Sequence, residues 1–381
     1  MNSKILHAAL FCPGPDGWGL PILLWGAPGI GKTSLIRSLA RRAGFVYERL
    51  SPAERGEGQF GVVPVPGQDG HLHYPAPAWA GLMGDNASLL FVDEINTAAP
   101  ALQAPLLGLV QLRTLGTFQF GRRTRIIAAA NETRDAAGGW DLAPALANRF
   151  GHFDFEGLDA QSWAVGFLGG FVDDVDAFDA TAEEARVMAA WPAADAYARG
   201  LIAGFVSRRP ELLHKQPAKL DDGGSRAWPS RRTWEYAAVA LASARVHGLS
   251  EVDTDEFVGG FVGHATVAEF AAWRADANLP DPADVLDGRV QFKHDNRRVD
   301  RTIATLGACA ALVAPAKADR RKERGKACWQ LLGQVMTEAA DAVVPAARAL
   351  VQAKAFGVAV DNASGPVLNR IQPILAAAGI Q

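Results

Sequence analysis

At 381 residues, 49% hydrophobic and 21% charged, the chain has the make-up of a globular protein large enough for two or three domains. A formal net charge of −3 argues against a generally basic protein that coats nucleic acid, though not against a local basic patch. Three widely spaced cysteines, Cys12, Cys309 and Cys328, suggest neither a disulfide framework nor a zinc site and fit a reducing cytoplasm.

The apolar run 5–12 lacks the length and flanks of a signal peptide, and no run approaches the ~18–20 residues of a membrane span. Over the first ~155 residues, short apolar runs alternate with helical or loop segments, the pattern of a parallel sheet covered by helices. Strands are expected at 22–25, 45–50, 89–92, 125–129 and 152–155. The first leads into Gly26-Ala27-Pro28-Gly29-Ile30-Gly31-Lys32-Thr33, a complete G-x-x-x-x-G-K-[ST] loop, and the helical run from Ser34 follows. Strand, glycine loop and helix are the context this motif requires. Backbone N–H groups converge there on phosphate oxygens and the helix N-terminus adds positive potential. Lys32 would reach the β- and γ-phosphates, and the Thr33 hydroxyl would ligate Mg²⁺.

The third expected strand ends in acids, Leu89-Leu90-Phe91-Val92-Asp93-Glu94. At the carboxyl end of a buried strand, where ligands sit in open α/β sheets, Asp93 can hold the Mg²⁺ water shell and Glu94 can deprotonate the attacking water. The fourth strand ends at Asn131, placed to meet the γ-phosphate or that water. Arg149, in Leu146-Ala147-Asn148-Arg149-Phe150, is either an intradomain ion-pair partner or an arginine finger for a neighbouring subunit. Arg231 and Arg232 open the helix containing Trp234; cations at that end of the dipole are unfavourable unless an anion is bound.

Taken in order, GAPGIGKT, LLFVDEIN, AAANE, LANRF and WPSRRTWE resemble the AAA+ ATPases of the MoxR group, in the dynein-related subfamily, over about residues 20 to 245. The resemblance implies an α/β P-loop NTPase sheet ordered 5-1-4-3-2, a helical lid, and Mg-ATP bound between protomers of a ring, commonly a hexamer. It assigns Lys32 and Thr33 to Walker A within a nucleotide-binding stretch from Gly26 to Ser34, and Asp93 and Glu94 to Walker B. Asn131 matches sensor 1, Arg149 the arginine finger and Arg232 sensor 2. Many relatives have Ser-Pro-Arg at the last motif where this chain has Ser-Arg-Arg, so Arg231 is a rival. Proteins of this group are chaperone-like, assist complex maturation and are often paired with von Willebrand factor A proteins. The alternative is a nucleic-acid-associated motor, such as a McrB-like restriction subunit or a helicase, using the basic run 317–326.

Two further segments, 59–74 and 115–123, have hairpin chemistry and match inserts of this group. Beyond residue 158 alanine-rich helical patterns take over, giving an expected division into a nucleotide-binding domain at 1–157, a lid at 158–280 and a helical region at 281–381. A long ordered loop is expected at 207–230, and a helix at 329–344 that Pro345 ends or kinks. Trp163, Trp191, Trp228, Trp234 and Trp273 are expected in the lid core, and His152, His214 and His264 are read as structural.

Overall fold

The five expected strands form one parallel sheet in the computed structural model, which describes residues 1–54, 60, 63–131, 140–169, 178–217, 226–313, 316, 318–352 and 369. They are β1 (Ile22–Trp25), β2 (Val46–Leu50), β3 (Ser88–Val92), β4 (Thr124–Ala130) and β5 (Gly151–Asp154), ordered β5-β1-β4-β3-β2. This is the order that the resemblance implies. β1, β3 and β4 are buried along their whole length, as expected of inner parallel strands covered on both faces. The edge strand β2 is only partly buried. In register, Ala130 lies opposite Trp25, and Ala128 opposite both Leu24's neighbour Leu23 and Val92. The carboxyl ends of β1, β3 and β4 therefore lie side by side, and each continues directly into a candidate site residue.

Of the helices, α1 (Ser3–Leu10) is capped by the Asn2 side chain, which accepts from the Ile5 N–H at 3.0 Å. α2 (Lys32–Arg42) leaves the glycine loop with Arg41 and Arg42 at its C-terminal end, where cations complement the dipole. α3 (Pro100–Leu112) follows β3 and starts with proline at its first position. α4 (Ala160–Gly169), α5 (Ala180–Arg208), α6 (Arg231–His247), α7 (Glu251–Val262) and α8 (His264–Ala277) follow the sheet. α9 (Val299–Val313), α10 (Ala318–Met336) and α11 (Ala340–Gln352) complete the described helices of eight or more residues. Both hairpin segments form antiparallel pairs: Val65–Pro66 with Leu72–His73, and Thr114–Leu115 with Phe118–Gln119. Gln59 and Gly61, at the start of the first, lie outside the described residues.

Two compact units are present. One comprises Met1–Val187, Lys215–Ala240 and Leu249–His264, and the other Met188–His214, Leu241–Gly248 and Ala265–Gln381. In the first, Leu23, Leu90, Val92, Ile126 and Ala128 pack with Leu106, Leu109 and Phe150. Its most buried cation is Arg125, on β4, whose Nη2 donates to Glu184 at 2.6 Å while the guanidinium lies 4.4 Å over the Phe45 ring. In the second, Leu306, Val313, Leu332, Val343 and Leu350 build a separate core, and Trp273 donates to Asp300 at 2.6 Å.

Several expectations need correction. α5 runs on to Arg208 and a single 3₁₀ turn, Pro210–Leu212, follows it, so the start of the expected loop is helical; residues 218–225 lie outside the described residues. The break after α10 falls at 337–339, and Pro345 sits inside α11, which forgoes one backbone hydrogen bond there. Trp163 is half exposed and stacks on Phe167 rather than lying in a core, and Trp228 belongs to the sheet's core cluster. His152 is structural: its Nδ1 accepts from Trp25 Nε1 at 3.0 Å, and its Nε2 donates to the Ala147 carbonyl at 2.9 Å. Among the described residues, no helix is long and apolar enough to cross a membrane.

Candidate nucleotide-binding site

β1 ends at Trp25, and the Gly26 N–H donates to the Ala130 carbonyl at 3.2 Å, which fixes the start of the loop against β4. The chain then turns through Gly29 (φ 78) and Gly31 (φ 98), left-handed conformations open to glycine and costly for other residues. A Cβ at either would meet nothing within 4 Å, so the space over the loop is open toward the N-terminus of α2. A glycine loop with open volume at the start of a helix, whose dipole adds positive potential, is an anion cradle. A cavity of about 800 Å³ adjoins it, with Leu6, Leu24, Ile30, Leu35, Phe155 and Trp163 among its lining residues. An apolar pocket beside a phosphate cradle suits a planar heterocycle.

Lys32 is buried, and its Nζ donates to the Gly26 carbonyl at 2.7 Å, the Ala27 carbonyl at 3.0 Å and Asn131 Oδ1 at 3.0 Å. Burial lowers its pKa, and the nearby charges of Asp93 and Glu94 oppose that shift. The Thr33 hydroxyl donates to Asp93 Oδ2 at 2.9 Å. A hydroxyl and a carboxylate meeting at the mouth of the loop are hard oxygen donors, the set that Mg²⁺ prefers, so these residues fit a magnesium–nucleotide complex. Glu94, next in the chain, is half-buried and holds a left-handed backbone (φ 53, ψ 45) at the head of the short 3₁₀ turn Ile95–Thr97. Such a conformation in a non-glycine residue costs of order 1–3 kcal/mol and turns Glu94 out of the strand direction that Asp93 follows.

The structure thus brings Gly26 to Ser34, Asp93, Glu94 and Asn131 to one end of the sheet. Arg149 and Arg232 form a second group. The Arg149 Nε donates to Gln111 Oε1 at 2.8 Å, its Nη2 donates to the same oxygen, and its Nη1 donates to the Ala145 carbonyl. These partners are uncharged, so the guanidinium is held by dipoles without being neutralised. Burial, and secondarily the positive charge of Arg232, lowers its pKa. The start of α6 is tied to the same place: Ser230 Oγ donates to Asn148 Oδ1 at 2.9 Å. Arg232 is half-buried and Arg231 exposed.

Three contributors were not visible in the sequence. Asn96 grips the Asn131 backbone from both sides, its Nδ2 donating to the carbonyl at 2.8 Å and its Oδ1 accepting from the N–H at 3.4 Å. Gln111 holds Arg149, and Arg49 on β2 donates to Asp93 Oδ2 at 2.8 Å. The only available signal was that Asn96 sits two residues after the acidic pair.

Residues 21–150 match the family model described as AAA domain (dynein-related subfamily). Protein MoxR of Methylorubrum extorquens is 31% identical over 123 residues, 30% of this chain and 32% of that protein. Protein MoxR of Paracoccus denitrificans is 33% identical over 141 residues, 34% of this chain and 39% of that protein. The matched stretch thus spans about a third of the length of the curated relatives. A crystal structure of a Cytophaga hutchinsonii protein aligns with 68% of this chain and 80% of that chain, at 18% identity and a TM-score of 0.45. Residues 21–150, from β1 through the glycine loop to the turn at Phe150, are thus similar to AAA domains of the dynein-related subfamily and to part of the MoxR proteins.

Proposed function

We propose that the chain is a Mg-ATP-dependent ATPase that assembles into a ring, commonly hexameric in this group, and uses hydrolysis to remodel or mature a protein partner. The observation that carries the reading is that two adjacent loop residues reach the ends of neighbouring strands, Lys32 bonding Asn131 at 3.0 Å and Thr33 bonding Asp93 at 2.9 Å. In this reading Lys32 exchanges its carbonyl and amide partners for phosphate oxygens. Thr33 and Asp93 would hold a magnesium ion, which would supply charge neutralisation at the phosphates. Glu94 takes the proton of the attacking water, and Asn131 orients that water or the γ-phosphate.

Arg149 is assigned as the finger that completes the site of the neighbouring protomer. Support comes from its uncharged partners, which leave the full cationic charge available to an incoming phosphate. Arg232 is preferred over Arg231 as the sensor 2 arginine. It acts on Arg149 electrostatically, so we read both as serving the same neighbouring phosphate. The partner-remodelling role, a von Willebrand factor A protein as the candidate partner class and the cytoplasm as the compartment are inferred from the resemblance of the sequence motifs to the MoxR group.

Glu94→Gln protein loaded with ATP should assemble into a ring and retain a protein partner on affinity capture. Capture that is the same with ATP and with ADP, by a protein that stays monomeric under both, would sink the remodelling reading.

A further inference from the structure

Arg49 stands on β2 with its guanidinium between two carboxylates. The Nε donates to Asp93 Oδ2 at 2.8 Å, the same oxygen that accepts the Thr33 hydroxyl. The Nη1 and Nη2 donate to Glu54 Oε2 and Oε1 at 2.8 and 2.9 Å, a planar fork on a planar acceptor. The two acids differ in setting: the Asp93 side chain is 8% exposed and that of Glu54 59%. Arg49 therefore has one anionic partner inside the nucleotide site and one at its rim.

This arrangement spends the oxygens suited to a divalent cation. Asp93 Oδ2 already accepts two hydrogen bonds, one from a permanent cation, and the Thr33 hydroxyl is turned toward that carboxylate. A metal approaching the same oxygen meets the guanidinium at close range, where like charges repel strongly in a partly buried site. Nothing in the Glu54 fork depends on the Asp93 contact, because it uses the other two nitrogens. Arg49 can leave Asp93 while it remains anchored at the rim.

We propose that Arg49 is a built-in counter-ion that competes with the divalent metal for Asp93, and that Glu54 is the seat onto which it withdraws when the metal–nucleotide complex enters. The inference rests on the magnesium-nucleotide reading above and extends it: the site is closed by its own cation until metal and nucleotide arrive together. The rival role for Arg49, a positioning residue that holds Asp93 ready for the metal, predicts the opposite sign in the same experiment.

The experiment is a Mg²⁺ titration of fluorescent ATP-analogue binding by the full chain, with the midpoint in Mg²⁺ as the readout and the affinity in EDTA as a second. Arg49→Gln should lower the Mg²⁺ midpoint about two- to fivefold, the size of a partly exposed charged pair, and leave the EDTA affinity within about twofold. Glu54→Gln should raise the midpoint by about two- to threefold, since the rim carboxylate that competes with Asp93 for Arg49 is then gone. The double variant should match Arg49→Gln, because Glu54 acts only through Arg49. Arg49→Lys, which keeps the charge and loses the fork, should fall between wild type and Arg49→Gln, and serves if the glutamine variant does not fold. A midpoint in Arg49→Gln that is unchanged or raised overturns the proposal, as does a lowered midpoint in Glu54→Gln. Wild-type binding that is indifferent to Mg²⁺ would overturn the magnesium-nucleotide reading together with it; a Mg²⁺-dependent wild type with an unshifted Arg49→Gln overturns the Arg49 inference alone.

Discussion

Lys32 Nζ donates to Asn131 Oδ1 at 3.0 Å, joining the phosphate loop after β1 to the end of β4, its neighbour in the sheet. Before nucleotide binds, this amide and two loop carbonyls satisfy the buried ammonium. Each is a neutral acceptor, so under the proposed reading a phosphate would replace them with an anionic partner. Lys32→Ala should weaken ATP binding by about 100-fold or more, two decades being the ~2.7 kcal/mol of such a bond. Asn131→Ala should bind ATP within a few-fold of wild type but hydrolyse it roughly 100-fold more slowly. Calorimetric titration and phosphate release separate the two. Equal loss of binding in both would make Asn131 a mere support for Lys32.

The Asn96 side chain is buried and bonds both backbone polar groups of Asn131. Asn96→Ala leaves a buried N–H and a buried carbonyl without that partner, at a cost of about 1–3 kcal/mol. It should also mispoint Asn131, so ATPase activity falls about tenfold while ATP affinity holds. A thermal melt and a turnover assay together test this; a destabilised variant with unimpaired turnover would confine Asn96 to folding.

If Arg149 acts in trans, Arg149→Ala and Lys32→Ala protomers are each inactive alone, and mixing them restores sites that pair an intact loop with an intact finger. Finger loss should cost about 10³-fold or more in turnover, with recovery toward a fraction of wild type on mixing. Gln111→Ala, which removes the acceptor for two Arg149 nitrogens, should reduce turnover by a smaller factor without affecting ATP affinity. An Arg149→Ala protein with full turnover would exclude the finger role.

Burial holds the His152 pKa down at about 4, against 6.5 when unperturbed. Its two hydrogen bonds also require the neutral Nε2–H form, since Nδ1 accepts from Trp25 while Nε2 donates to Ala147. The unfolded chain therefore takes up this proton first as pH falls. The stabilising effect of a neutral site is complete above about pH 6.5, declines as pH drops toward 4, and levels off below it, for a total of about 3 kcal/mol. Thermal melts near neutrality and at about pH 5 should show a smaller acid-induced drop for His152→Gln than for wild type. An equal drop in both proteins would show that His152 carries none of the pH dependence.

The strands were legible to within one residue at each end, because inner parallel strands are continuous apolar runs and their ends carry the site residues. Gly29, Gly31 and Lys32 were legible because the phosphate cradle is local in sequence. The partners that hold the rest are not local: Arg49 reaches Asp93 across 44 residues, Asn96 reaches Asn131 across 35, and Gln111 reaches Arg149 across 38. Each contact depends on which strand lies beside which, information that no spacing within a single segment contains. Pro345 misled for a different reason. A proline costs one hydrogen bond and some strain, and in α11 the packing of Val343, Ala346, Ala347 and Leu350 into a shared core offsets that loss.

Glu94, turned aside by its left-handed backbone beside Asp93, is proposed as the base that activates water at a magnesium–ATP site. Single-turnover hydrolysis of ATP by Glu94→Gln protein, at a concentration where ATP is fully bound, tests it most directly. If Glu94 is the base, ATP affinity stays at the wild-type level and hydrolysis slows at least about 100-fold, the range of general-base catalysis. A Glu94→Gln protein that binds ATP and cleaves it at the wild-type rate would contradict it.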